Sequence, residues 1–298
     1  MMIQAVYSPR YCAEIGTHIF QTIKYQKLAL ALTLSKEWSF VEPEPVFWKD
    51  LALVHTENYI RKVRTGILNA DELANLELPW SPGVVESFRL MSGGTLLAAR
   101  HAKEFGLGVN LGGGFHHAFA NHGEGFCLFN DIAVAIRVLQ EERVFTRAAV
   151  VDCDVHHGNG TAMIFNGDKS VFTLSIHQQH NYPMFKPRSS LDIGLPDGTN
   201  SSNYLTDLRQ AMVAVIAFQP EIVFYLAGAD PYKDDQLGGL NLTMDGLRER
   251  DRIVLSKCRE SNIPIVTTLA GGYAKDIDDT VAIHQSTVEE ITAQQAMS

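Results

Sequence analysis

Six short apolar runs recur along the chain: IQAVY (3–7), GVNL (108–111), AAVVD (148–152), VFTLSI (171–176), IVFYLA (222–227) and IPIVTTLA (263–270). Each has the length and β-branched content of a buried strand. Between them, residues 83–104, 129–141, 202–218 and 243–261 carry apolar residues at helical spacing, the last stretch opening at Thr243, a suitable N-cap. Strands joined through helices become parallel neighbours, because a parallel pair needs a crossover connection, and a parallel sheet has to be covered on both faces. The sequence therefore predicts an α/β fold: an open parallel sheet with helices on both faces. No linker, repeat or low-complexity tract breaks the pattern, so a single domain is expected over 1–298.

Composition narrows the function classes. A formal charge of -9 with acids and bases interspersed argues against sequence-independent nucleic-acid binding, which needs a basic stripe. It mildly favours cationic substrates. No window reaches eighteen consecutive apolar residues, so no membrane span is expected, and the opening MMIQAVYSPRYCAEIG lacks the pattern of an export signal. Cys12, Cys127, Cys153 and Cys258 are far apart and form no CxxC pair, which fits a reducing, cytoplasmic compartment.

The chemistry gathers where the strands end. GGGFHH follows the second run, DCDVHHGN ends the third, SIH the fourth, AGAD the fifth and AGGY the sixth. In an open parallel sheet those ends share one edge, the ligand crevice, so Asp154, His156, Asp230, His116, His117 and Tyr273 are expected to converge there. The long segments 112–128 and 177–200 should form loops at that edge. Asp152, Asp154 and His156 alternate with Cys153 and Val155, which puts the three polar residues on one face of extended backbone. Asp154, His156 and Asp230 together offer nitrogen and oxygen ligands for a zinc ion with an open position. Any one of these groups alone reads as a hydrogen-bonded strand-end cap. As a set, they would cost several kcal/mol to bury without a cation.

His116 and His117 follow the glycine triplet Gly112–Gly114. A phosphate cradle is the rival reading, but neither GxxxxGK[ST] nor a GxGxxG opening a helix is present. One histidine suits general-base work and the other charge stabilisation or proton donation, with Asp152 and Asn159 as candidate orienting partners. Tyr273 is a candidate oxyanion donor or an ordinary packed loop tyrosine. Phe126, Tyr182 and Phe185 either wall a narrow channel or belong to the core.

GGGFHH, GFCLFND, VDCDVHHGNGT, LSIH, GAD with LGGL, and AGGY occur in that order. The chain thereby resembles the zinc-dependent histone deacetylase superfamily from about residue 3 to 285, and AVYSPRY, GGGFHH and DQLGGL look most like its class IV branch. The resemblance implies an arginase-like fold and hydrolysis of an acyl group from a lysine-like amine. It makes Asp154, His156 and Asp230 the zinc ligands, His117 the general base, His116 its companion paired with Asp152, and Tyr273 the carbonyl polariser. It also implies potassium on the carbonyls of the Asp152, Asp154 and His156 segment with Ser175 and Ile176, and a substrate channel bordered by Gly125, Phe126, Gly271 and Gly272.

Two departures stand out. Asn159 replaces the aspartate that class I members set behind the second histidine, so His117 should be less basic. No acid that would grip a substrate backbone is evident near PWSPGV (79–84). Small acylated amines, or lysines with acyl groups longer than acetyl, thus join acetyl-lysine as expected substrates. A two-manganese ureohydrolase of the same fold and a non-catalytic acyl-lysine binder are the alternatives. Partners and oligomeric state are open.

Overall fold

The computed structural model describes residues 3–35 and 38–296. Eight strands form one sheet: β1 (Ile3–Val6), β2 (Trp38–Val41), β3 (Leu107–Asn110), β4 (Ala148–Asp152), β5 (Val171–Gln178), β6 (Leu191–Leu195), β7 (Ile222–Leu226) and β8 (Ile265–Thr268). Their order is β2-β1-β3-β8-β7-β4-β5-β6, and every pairing is parallel. Ten helices accompany them among the described residues: α1 (Ile23–Ser35), α2 (Trp48–Leu51), α3 (Glu57–Thr65), α4 (Ala70–Leu76), α5 (Pro82–Phe105), α6 (Asp131–Glu141), α7 (Asn159–Ile164), α8 (Ser201–Ala217), α9 (Met244–Glu260) and α10 (Ile277–Ala296).

The central strands read as unbroken apolar runs because both their faces are covered. Val150 of β4 and Phe224 of β7 pack with Ala98 and Ala102 of α5 and Ile132 and Ile136 of α6. Val151 and Tyr225, one step along the pleat, join Leu208 and Met212 of α8, Leu247 and Val254 of α9, and Ile283 of α10. Local signals set the helix ends. Ser81 caps α5 by accepting from Val84 N, with Pro82 in the first turn, and α5 stops at Gly106, whose φ of 86° suits glycine. Thr243 caps α9 by accepting from Gly246 N, as expected.

The structure adds elements that the periodicity does not announce. β2 and β6 are edge strands, and β6 lies inside 177–200, which reads as loop from the sequence. Its alternating, partly exposed LDIGL mixes an acid and a glycine into the run, the usual weakness of an edge-strand signal. Sheet order carries the functional consequence: β7 and β8 insert between β3 and β4, so the C-terminal ends of β3, β8, β7 and β4 stand in a row.

Candidate metal centre and channel

Asp154 and His156 lie in the turn after β4, and Asp230 follows β7. Val155 N donates to Asp230 Oδ1 at 2.8 Å, tying the two turns together. His156 Nδ1 is 3.1 Å from Asp154 Oδ1 and 3.5 Å from Asp230 Oδ2. All three side chains are buried, and their ligand atoms lie within 4.8 Å of one another. Gly271, just past β8, closes the cradle by donating its N–H to Asp154 Oδ2 at 3.0 Å. A Cβ there would stand 2.0 Å from Asp230 Oδ2 and 2.5 Å from Asp154 Oδ2, so only glycine fits.

The electrostatics are unbalanced without a cation. Burial, and then Asp154, push the Asp230 carboxyl up to about 7. Burial would lower His156, but Asp154 and Asp230 outweigh it and push the imidazole up to about 10. Burial would raise Asp154, yet His116 and His156 hold it well below the ordinary carboxylate range. Asp230 Oδ2 is buried with no hydrogen-bond partner. Such an orphan costs about 1–3 kcal/mol or more, and a divalent ion would supply the missing partner. One imidazole nitrogen and carboxylate oxygens are a donor set that suits zinc.

Above the cradle stand the two histidines. His116 Nδ1 is 2.6 Å from Asp152 Oδ2, and its Nε2 lies 3.7 Å from Asp154 Oδ1 and 3.1 Å from His117 Nε2. Burial opposes its charge, but Asp152 and Asp154 prevail and push it up to about 9. His117 goes the other way: burial, then His116 and His156, drop it well below the ordinary value. Its Nδ1 sits 2.7 Å from Asn159 Oδ1. The two rings are thus pushed in opposite directions, the separation that lets one donate and the other accept.

The pocket has a cavity volume of about 180 Å³ and is lined by Phe20, Gly125, Phe126, Tyr182, Leu237 and Tyr273, among others, together with His116, His117, Asp154 and His156. Phe126 lies parallel to Phe20 at 6.0 Å and edge-on to Tyr273 at 5.9 Å, while Tyr182 stands edge-on to His117 at 5.0 Å. Tyr273 is held far above its ordinary pKa by burial and by Asp154 and Asp230, so its hydroxyl keeps its proton. The expected channel residues therefore come together, with two corrections. Phe185 is 61% exposed and absent from the lining, because the chain beyond Pro183 turns Met184 and Phe185 out to solvent. Gly272 faces away from the channel, its missing Cβ directed at Ala229, Thr280 and His284. At the expected potassium position, the β4–β5 register sets Asp152 beside Ser175, with Ile176 next in β5.

Residues to which the sequence reading gave no role complete the site. Glu77, at the end of α4 with φ 58°, lines the pocket, so an acid does stand close to 79–84. Asp235 accepts from Tyr273 N at 2.6 Å and from Leu237 N and Gly238 N at 2.8 and 2.9 Å, bracing the turns on either side of the channel. Lys24, at the start of α1, is buried and donates to Ala270 O at 3.0 Å, its ammonium brought down to about 8 by burial against the pull of Asp230 and Asp154. Glu124 accepts from Asn159 Nδ2 at 2.6 Å and from the Tyr182 hydroxyl at 3.1 Å. Lys24, Asp235 and Glu124 act through tertiary contacts, and their local sequence does not say with which partner.

A second histidine–carboxylate group lies nearby. His157, His177 and Asp192 also bring ligand atoms within 4.8 Å. Here both carboxylate oxygens have partners: His157 Nε2 pairs with Asp192 Oδ1 at 3.1 Å and Ser189 N donates to Asp192 Oδ2 at 2.9 Å, although His157 Nδ1 is buried without a partner.

The parallel sheet and the crevice at its strand ends define an arginase/deacetylase-like α/β protein. The chain belongs to the histone deacetylase family, whose histone deacetylase domain model matches residues 17–288. It is 35% identical over 271 residues to histone deacetylase 2 of Arabidopsis thaliana, covering 87% of this chain and 70% of that one. With the acetoin utilization protein AcuC of Bacillus subtilis it shares 32% over 284 residues, 83% of this chain and 71% of the relative. An uncharacterized protein of Picosynechococcus is 40% identical over 95% of this chain and 96% of its own. The crystal structure of an HDA15 HD domain superposes with a TM-score of 0.83 at 23% identity, over 97% of this chain and 91% of that one, a likeness of fold. The family is generally metal-dependent, and membership supports a deacetylase hydrolase. No helix among the described residues is long and apolar enough to cross a membrane.

Proposed function

We propose that this chain removes acyl groups from acyl-lysine or a related acylated amine by hydrolysing the linear amide, as a zinc enzyme closest to the class IV branch. The observation that carries the reading is the orphaned Asp230 Oδ2 in a two-carboxylate, one-histidine cradle, set directly under an imidazole pair. Asp154, His156 and Asp230 would hold the zinc, which when bound polarises an acyl carbonyl and makes hydroxide accessible near pH 7. Potassium on the Asp152 and Ser175 backbone belongs to the same proposal.

The protein groups divide the remaining work. Neutral His117 takes a proton from the attacking water through Nε2. His116, kept cationic by Asp152, stabilises the negative charge that develops and supplies a proton to the departing amine. The Tyr273 hydroxyl donates to the acyl oxygen as it gains charge. Phe126, Tyr182 and Leu237 line the channel, excluding water and admitting an extended acyl-amine stem.

A panel of acetyl-lysine peptides, longer acyl-lysine peptides and acetylpolyamines, assayed with and without a chelator, tests this reading. Turnover of at least one class that vanishes with chelator and returns with zinc is the expected result. Turnover indifferent to the chelator removes the metal reading. Tight acyl-peptide binding without product release over hours leaves a non-catalytic binder, and two manganese ions per chain would point to a ureohydrolase.

A further inference from the structure

The Asn159 side chain lies between two partners. Its Oδ1 is 2.7 Å from His117 Nδ1 and accepts from Gly160 N at 3.0 Å, while its Nδ2 is 2.6 Å from Glu124 Oε1. An amide is a two-ended group whose orientation is set by what it faces. Asn159 is buried, and these neighbours satisfy both its ends. A carboxylate can only accept. Glu124 therefore takes the NH₂ end while the Gly160 N–H takes the oxygen, so that His117 Nδ1, facing the same oxygen, must carry the hydrogen and Nε2 is bare. From the other side, His116 Nε2 stands 3.1 Å from that same Nε2.

We infer that Glu124 is a positioning residue: together with the Gly160 N–H it fixes the direction of the Asn159 amide and, through it, the Nδ1–H tautomer of His117. The inference rests on the proposed role of His117 as base, because only this tautomer presents a free electron pair to the site.

Glu124 is built for the part. Burial works against its charge, but hydrogen bonds from His122, Asn159 and Tyr182 outweigh it and hold the carboxyl below the ordinary range. Its loop is anchored, with Gly125 N and Phe126 N donating to Asn75 O and Leu76 O, both at 3.0 Å. Because the Tyr182 hydroxyl donates to the same Oε1, the channel wall and the orientation of the base share one anchor. A carboxylate at position 124 also suits an amide at 159: an aspartate there would face Glu124 with no hydrogen between them and like charges in contact.

The test uses the full chain with ¹⁵N-labelled histidine and long-range ¹H–¹⁵N correlation spectra, alongside kcat and KM on the best panel substrate. Wild type should show His117 with Nδ1 protonated and Nε2 bare. Glu124→Leu should give a mixture of tautomers and a kcat lower by about 10- to 100-fold, the usual cost of losing such a partner, with KM little changed. Glu124→Gln, whose oxygen still accepts from Asn159, should restore the single tautomer and most of kcat. Asn159→Asp alone should lose kcat, and Asn159→Asp with Glu124→Gln should recover it, since the new amide at 124 donates to the new carboxylate. Tyr182→Phe should leave the tautomer intact.

A single Nδ1–H tautomer in Glu124→Leu, or a double variant no better than Asn159→Asp, overturns the inference. If Glu124→Leu fails to fold, the Asn159→Asp pair decides alone. Failure of every panel substrate with wild type would sink the proposed function, while the tautomer spectra would still decide the role of Glu124.

Discussion

His156 and His157 are adjacent in sequence, yet each joins a different histidine–carboxylate group, and the two groups differ in their charge. Around His156, two buried aspartates face one imidazole, and Asp230 Oδ2 has no hydrogen-bond partner. Around His157, two imidazoles face one aspartate that is 30% exposed and has a donor on each oxygen. Both groups satisfy a distance criterion for metal binding. What separates them is the surplus of buried negative charge. An unmet carboxylate demands a cation, whereas a paired one is a structural brace.

That contrast can be broken most directly by metal analysis. Asp154→Ala or Asp230→Ala should reduce bound zinc from near-stoichiometric to a small fraction, measured by elemental analysis of the purified chain, whereas His157→Ala, His177→Ala and Asp192→Ala should leave it unchanged. Equal metal loss in both sets would erase the distinction. Next in size, His117→Ala should lower acyl-lysine turnover by about 10²- to 10⁴-fold with zinc retained, the range for a lost proton-transfer group. Tyr273→Phe should also keep its zinc and lose about 10²- to 10³-fold in turnover; unchanged turnover would remove the oxyanion role.

The smallest effect sharpens the structural side of the comparison. Asp192→Asn should cost about 1 kcal/mol in urea unfolding near neutral pH, with zinc content unaffected. His157 and Ser189 hold the Asp192 carboxyl below its ordinary value, against the opposing effect of burial. A depressed carboxyl contributes stability that is present above its unfolded value of about 4 and lost as pH falls through the folded one. The gap between wild type and Asp192→Asn should therefore close below about pH 4, and a gap that widens there would contradict the pairing.

Much of the fold is legible in the chain because a strand buried on both faces has to be apolar throughout. The six runs are β1, β3, β4, β5, β7 and β8, of which β1 carries the exposed Gln4. The edge strands β2 and β6 escape notice because one side of each meets solvent and tolerates residues such as Asp192 and Gly194. The candidate site is legible where its residues cluster at strand ends, as in DCDVHH. Phe185 shows the limit, since an aromatic next to a channel residue carries no local signal of which way it points. Lys24, Asp235 and Glu124 carry no readable role for the same reason: each acts through a partner far along the chain.

What the residues determined on their own is the alternation of strand and helix, and with it the placing of carboxylates and imidazoles on a common sheet edge. That follows from local periodicity and from the geometry of parallel crossovers. What the tertiary structure alone decided is the charge balance, which left Asp230 Oδ2 orphaned, satisfied Asp192, and set Glu124 behind Asn159 to aim the base. Hydrogen bonds and Coulomb interactions depend on ångström-scale distances between remote segments, and only the packed sheet fixes those distances.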